Sequence, residues 1–337
     1  MRAFQCDNCS SPAFFENRVC GSCGFRLGFD ARDMSLHAVA TDPGTAYRFC
    51  ANAAYDSCNW LIPADSGERL CAACRHNRTI PDIDLPANLN SWRNYELAKH
   101  RLFYSLIKLR LPLANRTEDP EHGLAFDFLA ETPGAPVITG HENGVIVMNL
   151  KEADDSVRAS QRLLLGEPYR TLLGHLRHES GHYYWDRLVA DSPRLDTFRE
   201  LFGDERADYD KALQTHYSSG PAHDWQSRFI SAYASSHPWE DFAETWAHYF
   251  HIEDTMEMAA SFGLPALPFL TGNSSPQLTN AGFGETISRW SSLTVVMNSL
   301  NRCMGEADLY PFVLPPPALS RLEFVHDLLG RPSLLGA

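Results

Sequence analysis

Apolar positions along the chain keep different rhythms in different regions, and each rhythm predicts its own elements. "YELAKHRLFYSLIKLRL" (residues 95–111) carries apolar residues at helical spacing and reads as an amphipathic helix. Before it, "TIPDIDLPANLNSW" (79–92) has prolines at 81 and 86 and reads as a linker. The rhythm then shortens. "LAFDFL" (124–129) and "PVITGHENGVIVMNL" (136–150) are rich in β-branched and aromatic residues, and the Asn143-Gly144 pair signals a hairpin in a small sheet. From Pro168 to the end the pattern is mostly helical, with interruptions at "LFGDERADYD" (201–210), at "SSHPW" (235–239), across 261–285 and at Pro315–Pro317.

Charge and cysteine usage sharpen this outline. The 337 residues are 44% hydrophobic, enough for one large or two smaller cores, and the net charge of −13 disfavours wrapping nucleic acid or an anionic membrane. No apolar run has the length of a membrane span, and the first twenty residues hold Asp7 and Glu16 without a signal-peptide pattern, so the expected compartment is the cytoplasm, where thiols stay reduced. Eight of nine cysteines fall within the first 74 residues. They form "CDNC" (Cys6, Cys9), "CGSC" (Cys20, Cys23), the wider pair Cys50 and Cys58, and "CAAC" (Cys71, Cys74). Thiolates two residues apart on a tight turn grip one side of a Zn²⁺ ion, and a second turn completes the tetrahedron. Sequential pairing gives one structural zinc site from Cys6, Cys9, Cys20 and Cys23 and another from Cys50, Cys58, Cys71 and Cys74. Crossed pairings, and iron at the first site, fit the spacing too. Through residue 78 this head has eight arginines and eight acids, which suits a structural or protein-contacting module better than a nucleic-acid one. Cys303 stands alone and is expected to be a small buried hydrophobe.

The helical part carries the chemistry. In "YRTLLGHLRHESGHYYW" (169–185), His178 and His182 are four apart and share one helix face at the separation two imidazoles need to hold one Zn²⁺. Glu179 sits beside them, placed to take a proton from a zinc-activated water. A third ligand is required. The third and sixth positions after His182 are Trp185 and Leu188, which excludes the continuation used by metzincins. In "SAYASSHPWEDFAETWAHYFH" (231–251), Glu240 and Glu244 are again four apart, in a helix rich in apolar residues where an acid needs a partner. One can bind the metal while the other orients a histidine through its ring N–H. His248, four beyond Glu244, is a candidate to stand behind the ligands or to face the substrate, whereas His175, His237 and His251 read as structural.

These residues resemble the gluzincin side of the zinc metallopeptidases. More closely, the cysteine head, "CNWL", "YRTLLGHLRHESGHYYWDRLV", "HPWEDFAETWAHY" and "LYPF" resemble a bacterial family of zinc-binding metallopeptidases with an N-terminal zinc ribbon. The resemblance implies an α+β fold, with a zinc-ribbon head at 1–78, a linker and helix at 79–115, and a mostly helical zincin-like catalytic domain with a small sheet at 116–337. It implies His178, His182 and Glu240 on a catalytic Zn²⁺, Glu179 as general base, Glu244 behind a histidine, and Tyr233 on the oxyanion. It also places "GVIVMNL" as an edge strand that pairs with an extended peptide substrate. The expected activity is zinc-dependent peptide hydrolysis with one catalytic and two structural zinc ions, a peptide or protein substrate, and a head that can meet a protein partner. Two rivals are a DNA-associated zinc protease and a non-enzymatic zinc-ribbon adaptor with an inactive HExxH site. A third is a zinc hydrolase acting on another amide.

Overall fold

The computed structural model describes residues 1–40, 46–165, 171–264 and 280–330. They form two compact units, Met1–Arg158 with Glu257–Phe262, and Ala159–Met256 with Gly263–Ala337. Short ribbons and one small sheet precede a run of helices, so the fold is mixed α+β.

The first unit opens with three antiparallel ribbons: β1 (Phe4–Gln5) with β2 (Pro12–Ala13), β3 (Arg26–Asp30) with β4 (Ser35–Val39), and β5 (Tyr47–Phe49) with β6 (Leu61–Pro63). Strands this short bury too little to stand alone. An aromatic cluster joins them, with Phe29 at 4.9 Å from both Phe15 and Trp60, and Tyr104 at 5.5 Å from Phe15. A four-stranded sheet follows, built from β7 (Asn77–Thr79), β8 (Ala125–Leu129), β9 (Gly140–Glu142) and β10 (Val145–Asn149). Its order is β7-β8-β10-β9, with β10 parallel to β8 and antiparallel to β9. Asn143 (φ 47°) and Gly144 (φ 83°) are both left-handed, as the Asn-Gly hairpin signal requires.

The structure corrects two expectations in this unit. "GVIVMNL" does not form an edge: β10 is paired on both sides, and β7 and β9 are the outer strands. Four of its five residues are buried, the near-continuous apolar run of an interior strand rather than the alternation of a half-exposed one. The linker is also shorter than expected, because α1 (Pro86–Lys108) already begins at its second proline. Proline suits a first helical turn, where its missing N–H has no partner to lose. Nor is α1 amphipathic in the ordinary sense, since Glu96, Lys99 and His100 on its polar side are as buried as Trp92 and Leu102.

After α2 (Asp155–Leu165), the second unit is helical: α3 (Leu172–Leu188), α4 (Leu195–Phe202), α5 (Tyr209–Ser219), α6 (Trp225–Arg228), α7 (Pro238–Ser261), α8 (Ala281–Cys303) and α9 (Pro316–Leu328). The breaks at 201–210, 235–239 and 315–317 mark helix junctions, although 201–202 still belong to α4, 209–210 to α5, 238–239 to α7 and 316–317 to α9; most of the expected break at 261–285 lies at 265–279, outside the described residues. Thr171 caps α3 by accepting a hydrogen bond from the Gly174 N–H at 2.9 Å. Helices α3 and α7 lie against each other at Gly181, where an added Cβ would meet the Ala243 Cα at 2.9 Å. Tyr184 stacks on Trp246 with centroids 5.1 Å apart, and the Trp246 indole N–H donates to Ser180 Oγ. Two buried ion pairs tie the bundle, Arg177 with Asp254 and Arg321 with Asp241. Cys303 ends α8 exposed, not buried as expected, because the helix closes in solvent there. Among the described residues, no helix is long and apolar enough to cross a membrane.

Candidate metal centre

His178 and His182 project from one face of α3 with ring centroids 5.0 Å apart. Glu240 reaches them from the first turn of α7, where the helix dipole favours a negative charge. That turn is set by His237, whose Nδ1 accepts from the Trp239 N–H at 3.1 Å while its Nε2–H donates to the Ala207 carbonyl at 3.1 Å. Glu240 Oε2 lies 3.0 Å from His178 Nε2 and 3.5 Å from His182 Nε2, and all three residues are buried. Oε2 itself takes no hydrogen bond. Two imidazole nitrogens and a carboxylate oxygen within 4.8 Å of one another fit a tetrahedral Zn²⁺ with one position left for water.

Glu244, one turn on, meets the other side of His178. Nδ1–H donates to Glu244 Oε1 at 2.8 Å, which leaves the Nε2 lone pair facing the cluster. Ser231 Oγ holds the second oxygen of Glu244 at 2.6 Å. Burial opposes charge on His178, yet Glu240 and Glu244 together hold its pKa well above the usual imidazole value. Burial likewise pushes Glu240 upward, but His182 and His178 outweigh it and keep the carboxyl well below its ordinary range.

Glu179 is buried beside them, with Oε1 at 3.5 Å from His175 Nε2 and Oε2 without a hydrogen bond. His175, read from the sequence as an ordinary helix residue, thus neighbours the candidate base. Tyr233 stands 5.9 Å from the His178 ring, and burial together with the charge on Glu240 keeps its phenol protonated. His248 hydrogen-bonds the Tyr310 hydroxyl through Nδ1 at 2.9 Å and packs on Phe312, which gives "LYPF" its place. Burial lowers the His248 pKa to about 4 against the pull of Glu244.

Two residues of the site were missed from sequence. Tyr209 donates to Glu240 Oε1 at 2.5 Å, and Ser231 to Glu244. Tyr209 lies 31 residues before Glu240, at the end of a stretch read only as a helix break.

In the head, the cysteines gather as Cys6, Cys9, Cys20 and Cys23 and as Cys50, Cys58, Cys71 and Cys74. Sulfur–sulfur distances of 3.7 Å (Cys6–Cys23), 3.6 Å (Cys9–Cys20) and 3.8 Å (Cys58–Cys71) match the roughly 3.8 Å edge of a tetrahedron with Zn–S bonds of about 2.3 Å. Cys74 also lies 3.4 Å from Glu96 Oε2 and 3.5 Å from His100 Nε2, both on α1. Asp30, Asp33 and His37 form another cluster, but Arg32 already neutralises Asp30.

Residues 88–328 match the model of a family described as "Putative zinc-binding metallo-peptidase", and residues 3–85 match a zinc-ribbon domain. The chain belongs to that family. It is 45% identical over 332 residues to uncharacterized proteins of Mycobacterium tuberculosis and Mycobacterium bovis, covering 98% of this chain and 96% of each relative. No solved structure matches it. Family membership makes this a zinc-binding, metallopeptidase-like chain with a zinc-ribbon head.

Proposed function

We propose that the chain is a gluzincin-like zinc peptidase in which His178, His182 and Glu240 hold the catalytic ion. The observation that carries this reading is the convergence of both Nε2 atoms on Glu240 Oε2 while Glu244 takes His178 Nδ1. A zinc ion held by these three residues would supply Lewis acidity to a scissile carbonyl and to a water in the open position. Glu179, with a buried carboxylate oxygen free to accept, takes the proton of the attacking water and passes it to the leaving nitrogen. The protonated phenol of Tyr233 donates to the oxyanion as the carbonyl becomes tetrahedral. The two cysteine clusters hold structural zinc in the head. A complete set of donors, base and orienting carboxylate supports an enzyme over an adaptor with a decayed site.

The test is zinc per chain by native mass spectrometry. Wild type should carry about three ions, His182→Ala about two, and Glu179→Gln again about three, since Glu179 is a base and not a ligand. Equal counts in wild type and His182→Ala would remove the catalytic ion from this site and the peptidase reading with it.

A further inference from the structure

The two oxygens of Glu240 are treated differently by the fold. Oε2 is buried, takes no hydrogen bond and lies 3.0 and 3.5 Å from the two histidine Nε2 atoms. Oε1 is already occupied, accepting the Tyr209 hydroxyl at 2.5 Å. We propose that Tyr209 is a positioning residue that holds Glu240 as a one-oxygen metal ligand, with its hydroxyl on Oε1 so that Oε2 alone faces the ion. This rests on the zinc reading of the centre above.

The consequence is one of coordination number. A carboxylate that uses both oxygens fills an extra position on the metal, whereas a catalytic site needs three protein donors and an open place. Engaging Oε1 elsewhere keeps that place open and fixes the rotation of the carboxylate. Tyr209 is well placed to do so. It is the first residue of α5, whose start is set by Asp208 accepting from the Lys211 N–H at 3.0 Å. Its ring stands edge-on to His237 at 5.1 Å and to Trp239 at 6.1 Å, residues at the start of the helix that carries Glu240. His237 also bonds the Ala207 carbonyl, two residues before Tyr209. The hydroxyl and the carboxylate are therefore held by one joint, and their meeting does not depend on a loose surface side chain.

The experiment uses the full chain and the variant Tyr209→Phe, which keeps the ring and its packing and removes only the hydroxyl. Three readouts are taken: the zinc Kd at the histidine site by chelator competition, the visible spectrum of Co²⁺ at that site with the head loaded with zinc, and the Tm with and without metal. The expected result is a Kd raised about 10–100-fold. The Co²⁺ bands should weaken as a fifth donor enters, with a smaller metal-induced rise in Tm. A variant whose metal-free Tm falls while Kd and Co²⁺ spectrum stay at wild-type values would show a purely structural role and overturn the proposal. If the wild type takes up no more ions than His182→Ala, the metal centre itself fails and the role of Tyr209 falls with it.

Discussion

Gly181 decides how closely the two site-bearing helices approach. A methyl group there would meet backbone, the Ala243 Cα at 2.9 Å, and the Trp246 Cβ at 3.2 Å, so α3 and α7 would have to part. Gly181→Ala should cost about 1–3 kcal/mol by overpacking, even though alanine is the better helix former. Because His182 and Glu240 ride on opposite sides of that contact, zinc affinity at the histidine site should fall as well. Thermal unfolding and chelator competition check both effects, and an unchanged Tm would show that the helices have room to spare. The same residues show how far the site could be read in advance. His178 and His182 were legible because a four-residue spacing on a helix is itself geometry. Glu240 and Glu244 were legible as a pair, but which acid meets Nε2 depends on how α7 lies against α3, which no spacing encodes. Tyr209 left no signal, because its partner is distant in sequence and its segment has no period.

Helix α1 shows the same limit one level up. Its apolar spacing gave the helix, and its polar residues suggested a solvent-facing side. That side turns inward: Lys99 Nζ pairs with Glu96 Oε1 at 2.6 Å with both side chains fully buried, Asn77 Nδ2 donates to the same oxygen, and His100 reaches Cys74. A buried ion pair and a wet one look alike as letters; only the partners distinguish them. Lys99→Met should therefore cost about 3–5 kcal/mol by stranding the Glu96 carboxylate, and the double variant with Glu96→Leu should recover most of that loss. Urea unfolding midpoints measure both, and a single variant no less stable than the double would show that the pair is not electrostatically coupled. Strand β10 is the companion case: its segment was expected at an edge, yet four of its five residues are buried and it is paired on both sides.

Over the whole chain, the cysteines divide into two populations. Eight lie in clusters whose sulfurs stand at zinc-bridging distances, and Cys303 lies exposed at the end of α8. The ribbons around the clusters are too short to persist without their cross-links, so stripping the metal should release the head, with faster amide exchange across residues 1–78 and little change in α8 and α9. If exchange in the head stays slow after chelation, the aromatic cluster of Phe15, Phe29 and Trp60 holds it unaided. The lone thiol makes this easy to follow in solution. A maleimide added to fully loaded protein should attach once, at Cys303, and after chelation it should reach all nine cysteines. The mass of the labelled chain thus becomes a gauge of how much zinc the head has kept, and the same position offers a dye or a spin label a foothold on a residue that belongs to none of the clusters.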